Sequence, residues 1–249
     1  MSDNVLIVTG GSRGIGAAAC RLAARDGWDV MVNYAGNREA AEASAEAVRA
    51  AGRRAAICQG DMSKEADILA LFEATEKELG PISGLVCNAG ITGSVTKVAD
   101  MTTEAMREVM DLNVIGLMIA NREGVRRMST RLGGKGGAIV NMSSIAPRMG
   151  SANEFVHYAA SKGAVDGWTT GLSREVAGEG IRVNAVAPGM IDTEIHAAAG
   201  DPGRLERLGG LTPIGRPGTA EEVAEAIVWL LSDAARYCVG TNLNVNGGR

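Results

Sequence analysis

Cysteine and histidine, the side chains that most often bind zinc, are scarce in this sequence. Only two of its 249 residues are histidine and four are cysteine, and the cysteines form no Cys-x-x-Cys pair (Cys20, Cys58, Cys87 and Cys238). This pattern excludes a zinc site, so we expect no metal, and it favours a reducing compartment. The formal net charge of −4 provides no basic surface for nucleic acid.

Long apolar segments are absent as well. No apolar run approaches the roughly 18 residues that span a bilayer, and the first residues, Met1–Asn4, lack the basic region of a signal peptide. We therefore expect a soluble, cytoplasmic protein that binds neither membranes nor nucleic acid.

Aromatic residues are rare, at 3%, although hydrophobic residues make up 46% of the chain. The core must therefore consist of Ala, Val, Ile, Leu and Met, which suits helices packed closely on a parallel sheet. Glycine is frequent, with 34 residues and no collagen-like period, and this indicates many tight turns between strands and helices.

Short β-branched runs alternate with segments of helical spacing along the chain. The runs predict seven strands, at residues 5–8, 30–32, 55–58, 85–87, 138–140, 182–186 and 243–245. The other segments predict helices after the first strand to about Gly27, at 38–51, 64–79 and 103–131, before about Gly178, and at 220–231. This alternation predicts an α/β fold, in which one doubly wound, Rossmann-like parallel sheet of seven strands carries helices on both faces. We expect a single domain over residues 1–249.

A glycine-rich turn joins the first strand to the first helix. Gly10, Gly14 and Gly16 would let the backbone turn sharply and approach a pyrophosphate at the helix N-terminus. The spacing differs from Gly-x-Gly-x-x-Gly, and a glycine turn alone is weak support for a nucleotide site, but its position between strand and helix favours one. Asn88-Ala89-Gly90 ends the fourth strand, so both loops should border one crevice where the strand order reverses.

Tyr158 and Lys162 are four residues apart in a segment of helical spacing, so they lie on one face of the helix. An ammonium there would stabilise a phenolate and lower the pKa of the tyrosine from about 10, which makes it a usable proton donor or acceptor. Ser144 follows the fifth strand and could hold a substrate oxygen beside the phenol. Such a pair is also common on helices without any catalytic role.

Five elements together resemble the short-chain dehydrogenase/reductase family over essentially the whole chain. They are Thr9-Gly10-x-x-x-Gly14-x-Gly16, Asn88-Ala89-Gly90, Ser144, Tyr158-x-x-x-Lys162 and Pro188-Gly189. The resemblance implies an NAD(P)(H)-dependent oxidoreductase that transfers a hydride between nicotinamide and a carbonyl or secondary alcohol.

The same resemblance implies roles for four catalytic residues. Tyr158 would be the acid/base, Ser144 would orient the substrate oxygen, and Lys162 would lower the pKa of Tyr158 and bind the nicotinamide ribose. Asn113 would continue a proton relay through water, or alternatively its side chain bonds back to its own helical turn.

Cofactor contacts also follow from the resemblance. Thr193 would fix the nicotinamide carboxamide, and Asp61 with Met62 would contact the adenine. Cys87 departs from the family, whose members often carry Asn there, but it should not touch the chemistry. The expected cofactor-binding residues are Gly10, Ser12, Arg13, Gly14, Ile15, Gly16, Asn33, Asp61, Met62, Asn88, Ala89, Gly90, Tyr158, Lys162, Pro188, Gly189, Ile191 and Thr193.

The end of the second strand indicates which cofactor is used. NAD-binding sheets usually carry a carboxylate there to hold the ribose 2′-hydroxyl, whereas this chain has Asn33. Arg13 could instead pair with a 2′-phosphate, unless it is only a solvated loop residue. We therefore expect NADP(H) rather than NAD(H).

The substrate is not determined by the sequence. Residues 190–215 resemble the family's substrate loop and are expected to be mobile. Carbonyl reductases, 3-ketoacyl reductases and sugar 1-dehydrogenases share these features. Glu179-Gly180 counts against docking of a carrier protein, because ketoacyl reductases tend to carry a basic residue there. His157 and His196 are not expected to act in catalysis, since His157 points about 100° away from Tyr158 on the helix.

Two further classes compete with an oxidoreductase. A regulator that binds NADP(H) without turnover would be expected to have lost part of the catalytic set, yet Asn113, Ser144, Tyr158 and Lys162 are all present. A methyltransferase on a related sheet is disfavoured by the Tyr-x-x-x-Lys helix.

Two helices are apolar around much of their circumference, which predicts self-association. The apolar positions are Val109, Leu112, Val114, Ile115, Leu117, Met118 and Ile119 in one helix and Ala159, Ala160, Ala164, Val165, Trp168, Leu172 and Val176 in the other. A helix apolar nearly all round must be covered on both sides. A two-fold partner would supply the second cover, and family members with this layout are commonly tetramers, so we expect a homotetramer.

Overall fold

The computed structural model describes residues 4–249, apart from the side chain of His196. The expectations for Met1–Asp3 and for the His196 side chain therefore lie outside the described residues.

Seven parallel strands form one sheet in the order β3-β2-β1-β4-β5-β6-β7. The strands are β1 (Val5–Thr9), β2 (Asp29–Tyr34), β3 (Ala55–Gln59), β4 (Ile82–Cys87), β5 (Gly137–Met142), β6 (Ile181–Pro188) and β7 (Asn242–Val245). The order reverses between β1 and β4, so a crevice opens beyond their carboxyl ends, where such sheets bind ligands. The doubly wound Rossmann-like α/β fold expected from the sequence is confirmed.

Helices cover both faces of this sheet, so that its central strands are buried on both sides. Leu6 and Val8 of β1 pack with α1 (Gly14–Arg25), α2 (Arg38–Ala50) and α10 (Ala220–Leu231). Val5 and Ile7 point to the opposite face, as alternate residues of a strand must. There they pack with α3 (Glu65–Glu78), α5 (Leu117–Met128) and α7 (Val156–Val176).

The helix predicted at residues 103–131 is not continuous. It consists of α4 (Thr103–Met110), a π-helical turn (Asp111–Gly116) and α5, and a 3₁₀ turn (Thr130–Leu132) follows it. A π-helical turn holds one residue more than an α-helical turn, and such turns are frequent at functional sites. This one carries Asn113.

The interruption corrects the argument that the helix predicted at residues 103–131 is apolar nearly all round. Seven of the apolar residues counted in the two helices are buried in the chain itself: Val109, Val114, Leu117, Ala159, Val165, Leu172 and Val176. The extra residue of the π-helical turn shifts the apolar stripe of α4 relative to that of α5, so that one straight helix would appear apolar on every side. Ile115 and Ala160 stay exposed, and the uncovered apolar surface is smaller than the sequence suggested.

The segment at residues 190–215, which resembles a substrate loop, contains two short helices, α8 (Ile195–Ala198) and α9 (Arg204–Leu208). Another short helix, α6 (Ala146–Met149), follows β5. Every helix in residues 4–249 is too short or too polar to cross a membrane.

The π-helical turn approaches the β3–α3 loop so closely that only glycine fits at its end. A Cβ atom on Gly116 would lie 1.8 Å from the carbonyl oxygen of Met62. We expect Gly116→Ala to lower the free energy of unfolding in urea by about 1–3 kcal/mol, because either backbone must shift to admit the methyl group.

Gly36→Ala is the matched control, since a Cβ atom at Gly36 meets nothing within 4 Å. Its free energy of unfolding should change by less than about 0.5 kcal/mol. Equal losses for the two variants would contradict the close approach.

Candidate active site and nucleotide crevice

The glycine-rich loop is held against the end of β4 by one threonine. Thr9 Oγ1 accepts hydrogen bonds from the backbone N–H groups of Asn88 and Ala89, each at 3.0 Å. In return, Asn88 Nδ2 donates to the carbonyl oxygens of Thr9 and Gly10, at 3.1 and 2.9 Å. The two loops therefore border one crevice, as the sequence predicted.

Glycine is required at several positions of this loop. Gly10 and Gly14 have φ angles of +61° and +52°, in the left-handed region. A Cβ atom on Gly16 would lie 2.3 Å from the carbonyl oxygen of Gly10. No side chain caps the N-terminus of α1, so its first N–H groups remain available to an anion.

Asn33 has a different place from the one expected for a direct cofactor contact. Its side chain is buried, Oδ1 accepts from Gly10 N at 3.0 Å, and Nδ2 donates to Gly60 O at 3.1 Å. Because these bonds occupy both ends of the amide, Asn33 supports the glycine loop from below. These bonds give Asn33 a structural role, and its expected contact with the cofactor stays a prediction.

Arg13 is exposed at the edge of the glycine loop and bridges to the segment after β6. Its side chain is 59% exposed, and Nη1 lies 2.5 Å from Glu194 Oε2. Gly14 faces the same segment, since a Cβ atom there would lie 3.4 Å from Thr193 Cγ2. The glycine loop and the residues after Pro188 thus close over the crevice from opposite sides.

Asp61 and Met62 lie at the end of β3. The Ser63 N–H and hydroxyl donate to Asp61 Oδ1 at 3.0 and 2.7 Å, and these bonds lower the pKa of the Asp61 carboxyl. The Met62 side chain belongs to the core beneath the sheet. A ligand in the crevice could therefore reach Met62 only through its backbone.

A cavity of about 460 Å³ lies above the carboxyl ends of β4, β5 and β6. The expected site residues on its wall are Ile15, Asn88, Gly90, Ser144, Tyr158, Lys162, Pro188, Gly189, Ile191 and Thr193. The other expected residues do not line this cavity, and their contact with a cofactor stays a prediction. His157, which precedes Tyr158, packs with Nε2 against the position of Gly93.

Lys162 is buried, and its Nζ donates to the carbonyl oxygen of Met142 at 2.8 Å. Burial lowers the pKa of Lys162 to about 8, against the opposing charge of Asp166. Its ammonium lies 5.7 Å from the centroid of the Tyr158 ring.

The pKa of Tyr158 moves in the direction opposite to the one expected. Burial raises it, and the hydroxyl of Ser144 opposes that shift only in part. Removal of water disfavours the phenolate more than its neighbours stabilise it. The expectation that Lys162 lowers the pKa of Tyr158 is therefore wrong for the protein without a ligand, in which Tyr158 is a neutral phenol at neutral pH.

Asn113 does not bond back to its own helical turn. Its Oδ1 accepts from Ile91 N at 2.9 Å, and Nδ2 donates to Ile91 O at 2.8 Å and to Ser161 Oγ at 3.1 Å. The π-helical turn therefore links the loop after β4 to α7, one residue before Lys162. A Cβ atom on Gly90 would lie 3.0 Å from Asn113 Oδ1 and 3.6 Å from Lys162 Nζ.

Several residues near the site were missed by sequence reasoning. Asp166, one turn after Lys162, accepts hydrogen bonds from Ser143 Oγ and from Asn242 Nδ2, the latter at 2.8 Å. Arg204 and Phe155 also line the cavity. They come from loops and short helices whose position no periodic pattern predicts, although the spacing of four between Lys162 and Asp166 places both on one face of α7.

Cys87, the departure from the family pattern, is buried and interacts with Asn121 Nδ2 at 3.1 Å. Burial raises the pKa of its thiol to about 12. A thiol in such surroundings is unreactive.

Comparison with known proteins gives a consistent result. A family model described as Enoyl-(Acyl carrier protein) reductase matches residues 10–249. The uncharacterized oxidoreductase YgfF of Escherichia coli is 49% identical over 245 residues, which are 98% of this chain and 99% of that protein. The cis-4-hydroxycyclohexanecarboxylate dehydrogenase of Sinomonas cyclohexanicum is 39% identical over 248 residues, 99% of this chain and 96% of that protein.

A solved structure agrees with these relatives. The short chain dehydrogenase from Burkholderia cenocepacia J2315, in complex with NADP, superposes with a TM-score of 0.91 and 31% identity, over 99% of this chain and 98% of that one. The family model, the sequence relatives and the shared fold all extend over nearly the whole chain. The chain belongs to the short-chain dehydrogenase/reductase family, whose members are oxidoreductases that bind NAD(P).

Proposed function

We propose that the protein interconverts a carbonyl compound and a secondary alcohol with NAD(P)(H), and that Tyr158 is the acid/base. The main support is the convergence of Ser144, Tyr158 and Lys162 on one cavity. The same cavity reaches the glycine loop at Ile15 and the Thr193 segment, so a substrate oxygen and a nicotinamide could meet there.

The residues of the crevice fit a dinucleotide. The uncapped N-terminus of α1 and the glycines at 10, 14 and 16 leave backbone N–H groups and space for a pyrophosphate. When bound, the nicotinamide accepts or supplies the hydride, which no side chain of the protein can do. Asn88 and Gly90 would border the ribose, and Thr193 would hold the carboxamide.

Each catalytic side chain has a separate task in this proposal. The neutral phenol of Tyr158 donates a proton to the carbonyl oxygen during reduction, and its phenolate takes the proton of the alcohol during oxidation. Ser144 holds the same oxygen beside the phenol. The ammonium of Lys162 favours the phenolate when the tyrosine has given up its proton, and it binds the ribose hydroxyls. Asn113 holds the loop after β4 against α7 through its bonds to Ile91 and Ser161. We propose that it also continues a proton relay through water.

Residues 1–249 act as one catalytic domain in this proposal, and residues 190–215 form its substrate loop. The apolar part of the cavity wall suits a compact carbon skeleton next to the reacting carbon. The relative from Sinomonas acts on a hydroxy acid with a six-membered ring, and this supports a small secondary alcohol as substrate.

We propose NADP(H) as the preferred cofactor, with Arg13 as the partner of its 2′-phosphate. No carboxylate stands at the end of β2, and Asn33 is occupied by Gly10 and Gly60. The Burkholderia relative was solved with NADP, which supports the same preference.

Replacement of the acid/base tests the reaction. Tyr158→Phe should lower kcat by several orders of magnitude for a panel of ketones with NADPH, because the proton route is lost, while cofactor binding persists. Tyr237→Phe is the control, since Tyr237 is fully exposed, and it should behave as wild type. Turnover of Tyr158→Phe within tenfold of wild type would refute the assignment, and binding of NADPH by wild type without any turnover would favour a regulator.

Cofactor preference is tested at Arg13. Arg13→Ala should weaken NADPH by about 1.5–3 kcal/mol, the loss of a charged hydrogen bond, and leave NADH almost unchanged. Arg21→Ala is the control because Arg21 pairs with Glu221 on α10, and both dissociation constants should stay as in wild type. Equal losses of binding free energy for NADPH and NADH in Arg13→Ala would show that Arg13 does not recognise the 2′-phosphate.

We further propose a homotetramer, although the surface that supports it is smaller than the sequence implied. Ile115 and Ala160 remain exposed on the outer helices, and Trp229 and Tyr237 are exposed near the last helix and strand. Light scattering at micromolar concentration should give about four times the 25.7 kDa of one chain. A mass of one chain would contradict self-association. The mass of a dimer would support the interface at the outer helices and contradict a second interface.

A further inference from the structure

A largely buried arginine also lines this cavity. Arg204 begins α9, its side chain is 13% exposed, and it shares the cavity with Ser144 and Tyr158. Its guanidinium carbon lies 5.0 Å from the centroid of the Phe155 ring, a distance at which a cation is attracted to the ring face. None of the catalytic tasks proposed above uses this side chain.

The hydrogen bonds of Arg204 are incomplete. Nη2 donates to Glu154 Oε2 at 2.6 Å, whereas Nη1 is buried and has no hydrogen-bond partner within residues 4–249. Asp201 Oδ2 is 3.7 Å from Nη1, beyond hydrogen-bond distance, and its carboxylate receives two hydrogen bonds from Arg207. A buried guanidinium N–H without an acceptor is costly, so an acceptor from outside the chain would stabilise this arrangement.

Apolar side chains share the cavity with Arg204 and with the catalytic pair. They include Met149, Phe155, Ala199 and Leu208. A ligand that fills the cavity would therefore have an apolar middle, one oxygen at Ser144 and Tyr158, and a second oxygen group at Arg204. Glu154 accepts a hydrogen bond from Nη2, and Asp201 forms an ion pair with Nη1 at 3.7 Å. Nη1 still lacks a hydrogen-bond acceptor, and an ionised oxygen is the best acceptor for it.

We infer that Arg204 binds a carboxylate of the substrate, so that the protein acts on oxo acids and hydroxy acids in which an apolar segment separates the carboxylate from the reacting carbon. The inference rests on the proposed function. In the oxidative direction the carbinol carbon loses a hydride to NADP⁺, its hydroxyl proton leaves through Tyr158, and the oxo acid and NADPH are formed. The carboxylate takes no part in the bond changes and only fixes the position of the substrate.

A purely structural role is the alternative. Arg204 joins the substrate loop to Glu154 and Phe155. If these contacts only hold the loop in place, their loss would lower kcat/KM for every substrate alike. The two roles differ in one observable quantity, the ratio of kcat/KM for an acid to kcat/KM for its methyl ester.

The experiment compares oxo acids of increasing length with their methyl esters, using NADPH. Suitable pairs are 4-oxopentanoate, 5-oxohexanoate and 6-oxoheptanoate with their esters. Wild type should prefer the acid by about tenfold or more at one of these lengths, the effect of one charge-assisted hydrogen bond. Arg204→Gln should bring that ratio close to one by loss of activity on the acid, while kcat/KM for the ester stays within about threefold.

Arg207→Gln is the matched control on the same helix. Arg207 also pairs with Asp201, but its side chain is 54% exposed and it does not line the cavity, so the ratio should stay as in wild type. Arg204→Lys keeps the charge and should retain part of the preference for the acid, which covers the case in which Arg204→Gln does not fold. No preference for an acid at any length, or an equal loss for acid and ester in both Arg204 variants, would overturn the inference.

Binding without turnover separates this inference from the proposed function. Heptanoate and heptanamide cannot react, and their dissociation constants are measured by calorimetry with wild type and Arg204→Gln. If heptanoate binds better than heptanamide and only through Arg204, the carboxylate site stands even where no ketone is reduced. If neutral ketones are reduced but heptanoate and heptanamide bind alike, the inference fails and the proposed function stands.

Discussion

The hydroxyl of Thr9 is the contact on which the rest of the site depends. It accepts from two backbone N–H groups of the β4 loop and donates to Val86 O at 3.4 Å, so its whole hydrogen-bonding capacity is used. These bonds join the two central strands at the place where the strand order reverses. With β1 and β4 fixed there, the glycine loop, the Asn88 loop and the end of β5 all face one space, and α7 brings Tyr158 to the same place.

Burial then governs the electrostatics of that space. The same removal of water raises the pKa of Tyr158 and lowers the pKa of Lys162 to about 8. The phenol is thus kept protonated. The Lys162 ammonium donates to the Met142 carbonyl, and the charge of Asp166 opposes the effect of burial on the pKa of Lys162. In the reaction proposed above, the phenol would be the proton donor to a carbonyl oxygen.

The sequence was sufficient for the sheet, the crevice and the placement of Tyr158 and Lys162 on one helix, because each depends on a short local pattern. Glycine spacing predicted the loop, and a separation of four residues placed Tyr158 and Lys162 on one helix face. The role of Asn33 was not predictable, since its partners Gly10 and Gly60 become neighbours only when β1, β2 and β3 pair. Arg204 was overlooked for a similar reason, because burial of a charged side chain in a loop follows from tertiary packing alone. The pKa of Tyr158 was given the wrong direction because a sequence reveals the neighbouring charge but not the exclusion of water.

The π-helical turn between α4 and α5 has a consequence for how the length of this chain can vary. A turn that holds a surplus residue can lose it and become an ordinary α-helical turn, while the backbone hydrogen bonds on either side are kept. Such a deletion would rotate everything before it by about 100° relative to α5, the angle of one residue in an α-helix. Asn113 would then leave Ile91 and Ser161, and α4 would present a different face to α7. The surplus residue therefore sets the rotation of α4 about the helix axis relative to α5. A chain shortened by one residue here would keep both helices, but α4 would no longer face its partners.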